Sequence, residues 1–385
     1  MIAQLHGSVI VWRMNLLSEF KLDEDIIYLN HAAVAPWPAR TVKAITDFAQ
    51  ENLHQGASNY PTWVQVEQQL REKLQRLINA PSVDDIALLK NTSEALSIVA
   101  HGLDWQAGDN IVICQQEFPS NRVVWQSLAR YGVETRFVDF STSLDPEHDL
   151  IAATDQRTRL LSSSSVQYAS GLRMDLARLG EFCQQRKILF CVDAIQSLGA
   201  LAFDAQAVQA DFVMADGHKW MLGPEGVAVF YCRADLRDRL KLNQYGWHMM
   251  ENPTDYDSLD WQPARSARRF ECGSPNMLGI HGLNASLSVI LEFGMAAIEA
   301  KLLELTQFLM DCIQSNPNLA LISNAEPSRL SGITTFRHRQ HDTATLFKEL
   351  SKNKVICAQR GGGIRLSPHF YMDTDRIQKA VELCL

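Results

Sequence analysis

Between about residue 84 and residue 232, short runs of apolar, often β-branched residues alternate with longer stretches of helical period, and this alternation narrows the possible folds. The runs are Ile86–Leu89, Asn110–Cys114, Thr135–Phe140, Thr158–Ser162, Ile188–Asp193, Phe212–Met214 and Gly226–Cys232. Helical stretches Ser93–Gly102, Ser120–Arg130 and Leu176–Arg186 lie between them. Strand and helix in turn make βα units and a mainly parallel sheet, so a doubly wound α/β large domain is expected.

A turn-rich, charged passage, Asn252–Arg269, closes that region. Beyond it come one long helical pattern (Leu278–Gln314), a β-like run (Ser331–Arg337) and a helix (Thr343–Ser351). A β-like pair at Val355–Ile356 and Gly363–Ser367 follows, then a last helix from Asp373. These predict a smaller α+β domain. At 385 residues the chain is longer than single cores usually grow. The expected division is an N-terminal segment, 1–39, joining the small domain, a large domain, 40–275, and a small C-terminal domain, 276–385.

The net charge of -8 argues against nucleic acid or an anionic membrane as partner, because both need a concentrated positive field. A small-molecule substrate is expected instead. The eight cysteines are scattered, with no CxxC pair and no Cys/His cluster at ligand spacing. They predict a reducing compartment and no metal. No apolar run approaches the roughly 18 residues of a membrane span, and the patch Ser8–Trp12 is too short for a signal peptide. A cytoplasmic enzyme is the expectation, with Met1 and Met14 both open as its start.

Chemistry-bearing residues stand at strand ends, where open parallel sheets place their ligands. The run Ile188–Val192 ends in Asp193-Ala194-Ile195-Gln196, and a strand later comes Asp216-Gly217-His218-Lys219-Trp220. An amine can form an imine with a carbonyl cofactor, and a carboxylate can keep a pyridine ring protonated as an electron sink. Lys219 and Asp193 supply that pair; a helix cap and a solvated lysine are the plainer alternative for each alone. Asn91-Thr92-Ser93-Glu94 follows a strand and opens a helix, so it either caps that helix or presents its amides to a phosphate.

From Tyr28-Leu29-Asn30-His31-Ala32 to Arg365-Leu366-Ser367-Pro368-His369, the motifs and their order resemble the class V aminotransferase and cysteine desulfurase family, whose members have the fold type I architecture and bind pyridoxal 5'-phosphate. The resemblance implies that Lys219, in the family's HK-x-x-x-GP segment, is the Schiff-base residue, and that Asp193 holds the pyridine nitrogen. Gln196 would donate to the cofactor's phenolic oxygen, and Thr92, Ser93 and His218 would hold its phosphate. Asp216 stands where many relatives have serine and is expected to turn away from that phosphate. Phe118, in Glu117-Phe118-Pro119-Ser120-Asn121, would stack on the ring, with Gln167 near ring and substrate. Arg365 would clamp the substrate α-carboxylate, and Asn30 would help bind the substrate. Ser274 would reach the phosphate of a partner subunit in a homodimer.

The resemblance leaves the reaction on a small α-amino acid open. Transamination or related Cα chemistry comes first; a cysteine desulfurase or C–S lyase elimination is the alternative, and a silent cofactor-binding protein is a third. Cys357, eight residues before Arg365 and following a strand-like Lys354-Val355-Ile356, reads as structural rather than as the mobile cysteine of the persulfide route.

Overall fold

The alternating runs form one seven-stranded sheet in a computed structural model that describes residues 18–384. The patch Ser8–Trp12 and both candidate starting methionines lie outside the described residues. A short strand β1 (Ile27–Tyr28) comes first. The sheet is built from β2 (Ile86–Leu89), β3 (Asn110–Cys114), β4 (Glu134–Val138), β5 (Thr158–Ser164), β6 (Leu189–Asp193), β7 (Phe212–Asp216) and β8 (Ala228–Cys232). Their order across it is β2-β8-β7-β6-β5-β3-β4. All neighbours are parallel except at β8, which runs antiparallel to both β2 and β7.

Period-two geometry explains why the central runs are apolar on successive residues. Phe190 and Val192 of β6 join one core with Val112, Leu161 and Val213, while Leu189 and Cys191 join another with Ile111, Leu160 and Phe212. Cores lie against both faces, so the central strands β6, β7 and β8 are apolar along most of their length. Each fully buried aliphatic or aromatic side chain stabilises the fold by roughly 1.5–3 kcal/mol.

Two helices, Ala39–Gln55 and Tyr60–Leu77, precede the sheet and were not among the expected elements. Leu70, Leu74 and Leu77, one helical turn apart, fix the second of them in the core. Its Arg71 pairs with Glu67 and Glu271, all three buried, and Glu271 also accepts from Leu88 N of β2 at 2.8 Å. That network anchors the loop leading to Ser274.

The single helical pattern Leu278–Gln314 is two helices, Met277–Phe293 and Met295–Ser315. Gly294 separates them with φ 81°, a left-handed conformation that glycine adopts readily. The first helix packs Met277, Ile280, Leu283, Leu287 and Ile290 into the core of the large sheet. Thr41 Oγ1 meets Ser286 Oγ at 2.7 Å within the same packing. Residues 277–293, expected in the small domain, thus pack with the core of the large sheet.

Beyond it, β9 (Leu319–Leu321), β10 (Thr334–His338), β12 (Ala358–Arg360) and β13 (Gly363–Leu366) make an antiparallel sheet in the order β12-β13-β10-β9, with β11 (Val355–Ile356) between β10 and β12 in the chain. Strand β11 pairs in parallel with β1, and Ile27 and Leu29 share a core with Leu305, Phe336 and Leu366. Among the described residues no helix is long and apolar enough to cross a membrane.

Candidate active site

Parallel strands bring β5, β6 and β7 to one edge of the sheet, and Ser164, Asp193 and Asp216 are their last residues. Three residues past β7, Lys219 sits on a tight turn. Leu222 closes it by donating its amide to Lys219 O at 3.0 Å, and its φ of 60° places it in the left-handed region, strain of order 1–3 kcal/mol for such a residue. Gly199, with φ +95°, approaches so closely that a Cβ there would lie 2.2 Å from the carbonyl oxygen of Trp220. Only glycine lets the segment after Gln196 pack against the backbone beside Lys219.

Two buried groups in this region lack a partner that burial demands, and a third, a buried carboxylate, accepts from a backbone amide. Asp193, 3% exposed, accepts from Ile195 N at 3.0 Å. Burial, then the negative Glu117, push its pKa up, opposed by the Ile195 amide and by Lys219. Arg365, 2% exposed, donates through Nη1 to Tyr168 O at 2.7 Å, while its Nε has no acceptor. Burial, then Arg360, lower its pKa to about 10. Gln167 donates through Nε2 to Glu117 at 3.0 Å and leaves Oε1 buried without a partner. A ligand carrying a protonated ring nitrogen, a carboxylate and an N–H donor would meet all three.

Burial is also the largest influence on Lys219, holding its ammonium below the usual lysine range, with Arg365 and Arg360 adding to the shift and Asp193 and Asp216 opposing it. Its Nζ lies 5.8 Å from the centre of the Phe118 ring, which is partly exposed and meets Tyr168 edge-on at 5.2 Å. Gln196 is held at both ends, by Nε2 on Ala32 O at 3.1 Å and by Trp220 Nε1 on its Oε1 at 2.8 Å. One Nε2 proton remains for a ligand.

The helix Thr92–Gly102 starts at the same edge. Asn91 caps it by accepting from Glu94 N at 2.9 Å, which leaves the amides of Thr92 and Ser93 without intrahelical acceptors. Thr92 Oγ1 accepts from Asp216 N at 3.0 Å, tying the helix to β7, and Ser93 Oγ donates to Ser120 Oγ at 2.8 Å. Asp216 Oδ1 lies 3.0 Å from His218 Nδ1 without forming a hydrogen bond, so Asp216 faces its own histidine.

Asn30 bridges to Ser367, two residues past Arg365, with its Oδ1 buried and unpartnered. His31 is satisfied: Nδ1 contacts Ser367 O at 2.9 Å and Nε2 contacts the Tyr371 hydroxyl at 2.5 Å. Donation to the carbonyl fixes Nδ1–H, so Nε2 accepts from Tyr371. Ser274 stands apart, exposed on a loop beside Lys90 and Glu94. Glu117, Tyr168 and Trp220 join the site without having been assigned roles from the motifs. Tyr168 acts through its backbone carbonyl, which no residue pattern reveals.

The family model for class-V aminotransferases matches residues 27–379. The chain belongs to that family. A probable cysteine desulfurase of Methanothermobacter thermautotrophicus is 31% identical over 384 residues, covering 94% of each chain. YcbU of Bacillus subtilis, an uncharacterized aminotransferase, is 28% identical over 349 residues and 88% of each chain. In fold, the chain is similar to the cystine C–S lyase C-DES in complex with its reaction product cysteine persulfide, with a TM-score of 0.86 and 23% identity over 94% of this chain and 98% of that one. The class V aminotransferase fold is thus fold type I, and pyridoxal 5'-phosphate is the cofactor. The buried Asp193 carboxylate and the unpartnered Gln167 Oε1 and Arg365 Nε fit that group and an amino-acid substrate.

Proposed function

We propose that this enzyme cleaves the C–S bond of cysteine or a cysteine derivative by β-elimination, with Lys219 as the cofactor lysine. The motifs alone favour transamination; the names of the relatives favour sulfur chemistry. Cys357 supports elimination over the persulfide route. It is 7% exposed, packs with Leu350, Val355 and Ile364, and burial pushes its thiol up to about 12. A thiol so held offers almost no thiolate to receive sulfur.

In this reading Asp193 faces the ring nitrogen and Phe118 the ring face. Gln196 donates to the phenolic oxygen, and Thr92, Ser93 and His218 hold the phosphate. Bound there, pyridoxal phosphate supplies an electron sink that stabilises negative charge at the substrate Cα. Arg365 takes the α-carboxylate, with Asn30 and Gln167 beside the substrate. Lys219 Nζ, its proton affinity lowered by burial, removes the Cα proton. The Cβ–S bond then breaks with its electron pair on sulfur, which leaves as a thiolate or persulfide. The remaining three-carbon fragment hydrolyses to pyruvate and ammonia. We further propose a cytoplasmic homodimer in which Ser274 reaches the partner's phosphate.

The test is product analysis of the purified holoenzyme with cysteine, cystine and S-substituted cysteines. Pyruvate, ammonia and a released sulfur species in equal amounts are expected. Alanine without pyruvate would return the persulfide route, and amino-group exchange with a keto acid would return transamination. Cys357→Ala is expected to leave kcat within about twofold and to cost on the order of 1 kcal/mol of stability by leaving a small void; loss of turnover in a folded variant would reject elimination.

A further inference from the structure

Glu117, 1% exposed, lies just beyond β3 and accepts from Ser164 N at 2.7 Å, from the Ser164 hydroxyl, and from Gln167 Nε2 at 3.0 Å. Burial raises the Glu117 pKa, and the donors from Ser164 and Gln167 oppose that shift by favouring the carboxylate. With its oxygens accepting from Ser164, the NH2 end of the Gln167 amide faces it, and Oε1 is the end left buried and unpartnered. A buried acceptor without a donor is costly unless a ligand supplies one. In the arrangement proposed above, the ring nitrogen's proton points to Asp193 and the phosphate only accepts. The donor left is the amine nitrogen contributed by Lys219 or by the substrate.

We propose that Glu117 is a positioning residue that holds the Gln167 amide with Oε1 as the acceptor for a protonated amine nitrogen at the Lys219 position. The assignment rests on the cofactor-site reading given above. Around Glu117 stand Asp193 at the end of β6, Cys114 on β3 and Cys191 on β6, with the uncharged Asn121, Ser164 and Gln167. Burial pushes both thiols far up, so they stay neutral and Asp193 is the charge that faces Glu117.

A double-mutant cycle on the cofactor-loaded enzyme tests this, read as the midpoint of the pH titration of its visible absorbance band. Gln167→Met removes the acceptor and keeps the Glu117 charge. Glu117→Gln supplies an NH2 group that draws the Gln167 oxygen toward itself and turns the Gln167 NH2 toward the amine. Each alone is expected to lower the midpoint by about one pH unit, because the protonated form loses its acceptor. In the Gln167→Met background, Glu117→Gln is expected to move the midpoint by less than about a third as much. An equal shift in both backgrounds would mean that Glu117 acts as a plain charge beside Asp193, and would overturn the proposal, as would an unmoved midpoint in either single variant. If Glu117→Gln yields no folded holoenzyme, Glu117→Asp, which keeps the charge and withdraws it from Gln167, replaces it in the same cycle. An unsubstituted protein with no visible band overturns the cofactor-site reading, whereas a normal band with additive shifts overturns this assignment alone.

Discussion

Lys219→Ala is expected to remove the visible absorbance of the lysine-linked cofactor altogether and to cut turnover by at least about a thousandfold. The acid–base contribution of such a group alone is worth roughly 10²–10⁴ in rate, and in the proposed arrangement the same nitrogen also anchors the cofactor. The alanine leaves the strained turn intact, since Leu222 N bonds to the backbone oxygen of residue 219 and not to its side chain. A spectrum recorded on the reconstituted variant decides the matter. An undiminished band would move the anchoring role to another lysine.

Arg365→Ala is expected to raise KM for the amino acid about 30-fold or more while cofactor content stays near that of the unsubstituted enzyme. Truncating one partner of a buried, hydrogen-bonded charge pair costs about 2–5 kcal/mol, and a tenfold change in affinity corresponds to about 1.4 kcal/mol. The free variant should unfold no earlier on heating, because it loses a buried cation that donates to a backbone carbonyl, keeps an unpartnered Nε and has its charged form disfavoured by burial. Steady-state kinetics with the substrate identified by product analysis, together with a melting curve of the cofactor-free protein, check both halves. A KM equal to that of the unsubstituted enzyme would remove Arg365 from the substrate site.

How much of this was legible in the chain depends on how local each signal is. Apolar runs such as Ile188–Val192 and Phe212–Met214, with Asp193 and Asp216 just beyond them, marked the sheet and its carboxyl edge, because burial on two faces leaves the central strands mostly apolar until they end. The motifs around Lys219 and Arg365 carried the family. The helix Tyr60–Leu77 was equally patterned, with Leu70, Leu74 and Leu77 on one face, but it lies outside the βα alternation that organised the rest. Gly294 inside a long helical pattern is ambiguous, since an isolated glycine can be tolerated in a helix; only the packing of Met277–Phe293 on the large core shows it as a break. Glu117 was the least visible. Nothing in Glu117-Phe118-Pro119 says that a carboxylate will be enclosed beside Asp193, because its donors come from Ser164 and Gln167, some fifty residues along the chain.

The contact from Arg365 Nη1 to the Tyr168 carbonyl has a consequence for entropy. A free arginine carries about 2 kcal/mol of rotamer entropy, which a binding partner would ordinarily have to remove. Here the guanidinium is immobilised when the chain folds, braced by a backbone oxygen 197 residues away in sequence. In the proposed arrangement, a substrate carboxylate would meet a group already held by that bond. Its attraction to the arginine then translates into affinity with little loss to ordering.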